Sequence, residues 1–182
     1  GCRIVSDPES ADIILVNTCG FIQSAKQESI DAILEAAAHK EREPEVRLVV
    51  WGCLAQRYGS ELEKEIPEID AWFGVESFQE IVEYIVGQRC SSSGAFYSGR
   101  RIPEPAHTAY LKIADGCSNS CTFCAIPHIK GAYHSRTPES LLEEATFLAQ
   151  HGVRELILVA QDTTYYGRDK GKKFGLTELL DG

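Results

Sequence analysis

Three times in its first half the chain passes from a short apolar run, through a turn rich in Gly, Cys, Asn or Thr, into a segment with helical periodicity. No other feature narrows the fold as much. The first run, Ala11 to Val16, stops at Asn17-Thr18-Cys19-Gly20. Behind it Ser24, with Gln27 three residues on, has the form of a capping box, and Ile30, Ile33, Leu34, Ala37 and Ala38 recur at helical spacing to about Lys40. Arg47 to Trp51 is β-rich and ends in Gly52-Cys53, and Gln56 to Glu65 is predicted helical up to Pro67, whose ring cannot continue a helix. A third run, Ala71 to Gly74, leads into a helix capped by Ser77 with Glu80 and carrying Phe78, Ile81, Val82 and Ile85 on one face. Parallel neighbours need a crossover long enough to hold a helix, so this alternation predicts an α/β unit with a parallel, doubly wound sheet.

Between Gln88 and Ala106 the chain reads QRCSSSGAFYSGRRIPEPA, without apolar periodicity, which predicts a linker at 88–106 between a unit at 1–87 and another at 107–182. In the second unit Ala109 to Ile113 reads as a strand and Gly116 to Ser135 as a long cysteine-bearing loop. Thr137-Pro138 caps a helix running to His151, Gly152 ends it, and Glu155 to Ala160 is a further strand. Strand, loop, helix, strand is the opening of a (β/α) barrel, in which functional residues gather where strands end. Cys117 and Asp162 both fall there.

Composition closes off several classes. Ile13 to Val16 and Leu156 to Ala160 are far too short to cross a bilayer, and no charged segment precedes an apolar one at the start, so the expected compartment is the cytoplasm and no membrane partner is expected. A formal charge of −9 argues against a broad surface that grips nucleic acid, because phosphate binding rests on Lys and Arg; Arg100-Arg101 and Lys170 to Lys173 remain as local basic patches. Seven cysteines, an odd count without a secretory signal, predict metal binding or catalysis and no disulfide partner. Met is absent, and the chain ends at Gly182 just after a helix-like Leu176 to Leu180 has begun, which reads as a fragment.

Cys117, Cys121 and Cys124 form C-x3-C-x2-C, whose short gaps let one loop wrap three thiolates around a compact metal centre and leave a fourth position open. A structural zinc site closes with four ligands and here would have to borrow His128 or His134. The other plain alternative is three unrelated buried thiols. An open iron is the more useful design, since it binds and activates a substrate. Phe123, just before the last cysteine, is placed to cover a cluster or a bound base, although a lone aromatic serves a core as ordinarily. Cys19 and Cys53 each follow a strand, so a parallel sheet brings both to the edge where doubly wound folds bind ligands. Two buried thiols are as good a reading of that pair as two ligands. Cys90 reads as a surface thiol, while His39 and His151 near helix ends and His107 before a strand need no catalytic role. Lys130 and Arg136 are candidates for holding a substrate carboxylate, the plain alternative being solvated loop cations.

GCSNSCTFCAIPHIKGAYHSR, from Gly116 to Arg136, resembles the cluster loop of the radical S-adenosylmethionine methylthiotransferases. NTCGF at Asn17 to Phe21, GCLAQRYG at Gly52 to Gly59 and AQDTTYYG at Ala160 to Gly167 extend the resemblance over nearly the whole chain. It implies that Cys117, Cys121 and Cys124 ligate a 4Fe–4S cluster whose open iron is chelated by S-adenosyl-L-methionine. One electron from the cluster then splits the sulfonium into a 5′-deoxyadenosyl radical that abstracts a substrate hydrogen. Phe123 and Asp162 are placed near the S-adenosylmethionine pocket by the same resemblance, which makes the first unit a methylthiotransferase domain and the second the start of a radical SAM barrel. It further implies that Cys19 and Cys53 are two of three ligands of a second 4Fe–4S cluster, associated with the inserted sulfur. The third should lie a full βα unit before Cys19; Cys2 stands too near to be assigned, so the second cluster is expected to be incomplete here.

The family divides between enzymes that methylthiolate an adenosine of tRNA and enzymes that modify the β-carbon of an aspartate in a small-subunit ribosomal protein. NTCGF running into the helix Ile22 to Lys40, and AQDTTYYG, look like the second type, and a −9 chain suits a basic protein better than a polyanion. The expected partners are that ribosomal protein and an electron donor. The contrasting readings are a tRNA substrate, a redox sensor indifferent to S-adenosylmethionine, and a non-catalytic metal module.

Overall fold

The computed structural model describes residues 2–87, 107–171 and 174–181. The expected linker at 88–106, with Cys90, lies outside them. The chain divides into two compact units, Gly1–Cys90 and Ser91–Gly182.

The first unit alternates β1 (Ile13–Thr18), α1 (Gln23–Arg42), β2 (Arg47–Gly52), α2 (Cys53–Glu65), β3 (Ala71–Phe73) and α3 (Phe78–Val86). Its three strands form one parallel sheet in the order β1-β2-β3. Leu48 and Val50 of β2 pack with Ile33, Ala36 and Ala37 of α1 and with Leu54 and Ala55 of α2. The other face of β2 belongs to α3. Trp51 meets Phe78 edge-on at 6.0 Å, and the Arg47 guanidinium donates to the carbonyls of Tyr84 and Ile85, where a cation complements the end of a helix. Helices thus cover both faces of a sheet whose strands all run one way, as the alternation predicts.

Two helix starts differ from expectation. The N-cap of α1 is Ile22, which makes no side-chain bond, so Ser24 sits inside the first turn and forms no capping box with Gln27. Gln27 donates instead to Asp31, one turn on. The entry of α1 is held from further along: the Ser29 hydroxyl accepts the Cys19 amide at 2.9 Å and donates to the Cys19 carbonyl at 3.3 Å. The second difference is α2, which begins at Cys53 rather than Gln56 and so places that thiol in its first turn. Ser77 is the N-cap of α3 as expected, but its side chain makes no cap bond.

The second unit runs β4 (Thr108–Lys112), β5 (Ala114–Asp115), α4 (Ile126–Lys130), β6 (His134–Ser135), α5 (Pro138–Gln150), β7 (Glu155–Val159) and α6 (Leu176–Asp181). β4 and β7 are parallel neighbours in register from Thr108 opposite Glu155 to Lys112 opposite Val159, with α5 as the crossover. Pro138 opens α5 and the Thr137 hydroxyl accepts the Ser140 amide at 3.3 Å. The core gathers Leu111, Ile113, Leu141, Tyr166 and Leu179, with Ala109, Leu148 and Val153 beside it. One ion pair is sealed in: the Arg136 guanidinium meets the buried Glu144 carboxylate at 2.6 Å and also donates to Ser140 Oγ and the Lys112 carbonyl. Where the sequence offered either a substrate carboxylate or solvent, Arg136 has internal partners.

The segment expected as one long loop from Gly116 to Ser135 carries structure of its own. β5 pairs antiparallel with β6, and α4 lies between them. These pieces are two, five and two residues long, too short to show any period in sequence. Among the described residues no helix is long and apolar enough to cross a membrane.

Candidate metal centre

Thr18 and Gly52 are register partners at the ends of β1 and β2, so Cys19 and Cys53 leave adjacent strands at one edge of the sheet. The two turns press backbone against backbone. Gly52 has φ +117°, and a Cβ there would stand 2.5 Å from the Thr18 carbonyl oxygen; a Cβ on Gly20 would stand 2.7 Å from that of Cys53. Only glycine permits such an approach. Thr18 Oγ1 donates to the Trp51 carbonyl at 2.8 Å, and Arg57 donates to that of Gly20 at 3.2 Å. Both thiols are half-buried. At the end of β3 there is no cysteine: the Gln56 side chain accepts the Val75 amide and lies against Gly74.

In the second unit Cys117 follows β5 through Gly116, whose φ is +70° and whose Cβ position lies 2.2 Å from the Ala132 carbonyl oxygen. The outgoing and returning limbs of the loop therefore touch at its foot. There the Cys117 amide donates to the Gly131 carbonyl at 3.1 Å, and Ser118 Oγ accepts the Tyr133 amide at 3.1 Å. Cys117 is buried, Cys121 exposed and Cys124 half-buried. A turn joins the last two, the Cys124 amide donating to the Cys121 carbonyl at 3.1 Å, and Phe123 within it is 91% exposed. His128 and His134 are exposed.

Among the described residues no three Cys, His, Asp or Glu side chains are drawn together closely enough to hold an ion. The chemistry of the donor set still fits an iron–sulfur cluster: three undisulfided thiols on one loop, with its foot pinned, are the soft ligands iron takes.

The foot of the loop is also tied to the end of β7. Asp162 caps a 3₁₀ turn, Thr163–Tyr165, accepting the Thr164 amide at 3.0 Å, while Asn119 donates to its carboxylate at 3.5 Å. The Thr164 hydroxyl, together with Asn119, holds the Asp162 carboxyl below its ordinary range. Tyr133 donates its hydroxyl to the Asp162 carbonyl at 2.8 Å, and its ring meets that of Tyr165 edge-on at 5.0 Å. Burial, with Asp162 and Asp169 nearby, pushes the Tyr133 phenol up to about 12, so it stays a donor. Ser135, fully buried, gives both its amide and its hydroxyl to the Asp169 carboxylate and accepts the Gly167 amide at 2.9 Å. Burial alone would raise Asp169; the Ser135 bonds outweigh it and hold the carboxyl low. Asp115 likewise is pushed up by burial but held low by Lys112 and Lys130. Lys130 pairs with it at 3.0 Å, an internal partner where the sequence offered either a substrate carboxylate or solvent.

Sequence reasoning brought Cys117 and Asp162 to the strand ends but missed Ser118, Tyr133, Ser135 and Asp169. For Tyr133, Ser135 and Asp169 the only signal was the density of polar and aromatic residues in GAYHSR and TTYYGRD, and for Ser118 its place beside Cys117.

Residues 1–74 match the family described as Uncharacterized protein family UPF0004, and residues 111–180 match the Radical SAM superfamily. Across 182 residues, 100% of this chain, the sequence is 49% identical to a ribosomal protein uS12 methylthiotransferase RimO of Aquifex aeolicus, of which it covers 40%. It is 48% identical to the protein of that name from Symbiobacterium thermophilum, over 99% of this chain and 39% of the relative. For the one from Clostridium tetani the figures are 49%, 97% and 42%. The chain thus spans about two-fifths of the length of the curated relatives it matches. The resemblance to the radical S-adenosylmethionine methylthiotransferases holds along the whole chain, and 4Fe–4S clusters and S-adenosylmethionine are the cofactors it implies.

Proposed function

We propose that this chain is part of a RimO-type radical S-adenosylmethionine methylthiotransferase, which adds a methylthio group to the β-carbon of an aspartate in the small-subunit ribosomal protein uS12. One observation carries the reading: a cysteine triplet on the loop after the first strand of a parallel βαβ unit, in a chain 49% identical over its full length to a protein of that name. Cys117, Cys121 and Cys124 hold one 4Fe–4S cluster, and Cys19 and Cys53 supply two thiolates to a second. Residues 1–87 form the methylthiotransferase domain and 107–182 the start of the radical SAM barrel, with 88–106 joining them; the separate family matches at 1–74 and 111–180 support that division. When bound, S-adenosylmethionine and a reduced cluster supply one-electron cleavage of the sulfonium, and so the means to take a hydrogen from the substrate.

The chain's own residues bind and orient. The loop foot buries Cys117 and fixes its backbone, while Phe123 stands at the exposed tip, where an aromatic face can cover a bound base. Asp162, kept ionised at neutral pH, offers the strand end an anionic acceptor for O–H or N–H donors at the end of S-adenosylmethionine remote from the iron. A net charge of −9 favours encounter with a basic ribosomal protein over tRNA, and an electron donor in the cytoplasm completes the set of partners.

The test incubates the whole protein, anaerobically reconstituted, with reductant, sulfide, S-adenosylmethionine and either uS12 or tRNA, and reads each product by mass spectrometry. A methylthio increment on the uS12 aspartate is expected. An increment on tRNA adenosine alone would reverse the substrate assignment, and stoichiometric zinc with no iron uptake would leave a non-catalytic metal module.

A further inference from the structure

Three pieces of the second unit meet at Tyr133. Its amide is held by Ser118, the residue after Cys117. Its hydroxyl reaches the Asp162 carbonyl at 2.8 Å, beyond the end of β7. Its ring lies edge-on, 5.0 Å away, against Tyr165 in the turn that Asp162 caps. The side chain is buried. An aromatic ring has only two rotatable bonds, so a buried tyrosine anchored at both ends acts as a spacer of set length.

The spacer fixes one distance in particular. The foot of the thiol loop is pinned to its own returning limb by Cys117 to Gly131 and Ser118 to Tyr133. To the strand end at Asp162 it is tied by Tyr133 and, more loosely at 3.5 Å, by Asn119. The other hydrogen bonds between the returning limb and the chain after β7, among the described residues, lie further on: Ser135 with Asp169 and Gly167, and the Arg136 carbonyl with the Tyr166 hydroxyl. A ligand gripped at one end by a metal on the loop and at the other by the strand end needs these two anchors in constant relation.

Resting on the function proposed above, we propose that Tyr133 is a positioning residue for S-adenosylmethionine, setting the thiol loop against the Asp162 strand end so that both grip the ligand at once. Tyr133→Phe keeps the ring and removes only the bond to the Asp162 carbonyl. The test uses the whole protein, reconstituted with iron and sulfide, and titrates S-adenosylmethionine while following the change it causes in the EPR signal of the reduced cluster. Tyr133→Phe is expected to keep full iron and sulfide and to need roughly two- to tenfold more S-adenosylmethionine for half the change, the value of one hydrogen bond. Val153→Ala, which thins the core beside Leu148, is expected to lower the melting temperature and leave that midpoint unmoved. The proposal is overturned by an unchanged midpoint in Tyr133→Phe, by an equal shift in Val153→Ala, or by loss of iron from Tyr133→Phe, which would make the tyrosine a prop of the cluster. A wild-type protein that takes up no iron, or whose signal ignores S-adenosylmethionine, sinks the radical SAM reading itself.

Discussion

The two cysteine sites are held by different means. In the first unit Cys19 and Cys53 are placed by regular structure: two strands in register end together, and glycines at 20 and 52 let the turns close backbone to backbone. In the second unit Cys117, Cys121 and Cys124 share one loop, whose foot is fixed by bonds of Cys117, Ser118, Tyr133 and Asn119 and whose outer part holds a turn from Cys121 to Cys124. A strand-end site inherits the rigidity of its sheet, whereas a loop site is as well placed as the side chains that tie it down.

Metal content separates the units most sharply. Replacing Cys117, Cys121 or Cys124 with Ala should empty the loop centre altogether, because no neighbouring side chain can take over the vacated iron; roughly half the iron and sulfide of a two-cluster protein goes with it, and with it the response to S-adenosylmethionine. Cys19→Ala or Cys53→Ala should spare that response. Iron analysis with EPR checks both, and a triplet variant keeping full iron would break the assignment.

Next in size is a change of stability confined to the second unit. Glu144→Ala leaves the Arg136 charge without its carboxylate, and breaking a buried pair from one side costs about 3–5 kcal/mol. Amide exchange should show β4 and β7 losing protection while β1 and β2 keep theirs.

Gly52→Ala tests the first unit in turn. Its positive φ alone costs about 1–3 kcal/mol, and the 2.5 Å approach to Thr18 adds to that. Gly87→Ala shares a positive φ, at +70°, but has nothing within 4 Å of the added carbon, so denaturant melts should show it the milder of the two.

The smallest contrast is in pH. Asp115, Asp162 and Asp169 of the second unit are held below the ordinary carboxylate range, as is Asp70 of the first, where burial pushes up but bonds from Lys40 and the Leu48 amide prevail. A carboxyl that is more acidic folded than unfolded stabilises above its unfolded value, about 3.9, and that contribution is lost as pH falls through the folded one. Acid should therefore loosen β4 and β7 before β1 and β2, as seen by amide exchange. At the alkaline end Tyr133, raised to about 12, stabilises fully below the unfolded tyrosine value near 10 and loses that contribution as pH climbs past it. Phenolate absorbance should show two tyrosines titrating late, Tyr133 and Tyr166, whose phenol burial also pushes up.

By itself the sequence determined the alternation of strand and helix, the parallel sheet, the pairing of Cys19 with Cys53 at one edge, and the thiol loop after the first strand of the second unit. All of these follow from periodicity and short spacings, which are local. Only the tertiary structure decided where α1 begins, since its entry is held by Ser29 bonding back to Cys19 across ten residues rather than by a cap. It alone assigned Arg136 and Lys130 to Glu144 and Asp115, and Tyr133 and Ser135 to Asp162 and Asp169. The last two pairs stand 29 and 34 positions apart, and a side chain on an irregular loop finds its partner through the fold, with no period or fixed offset that would mark it beforehand.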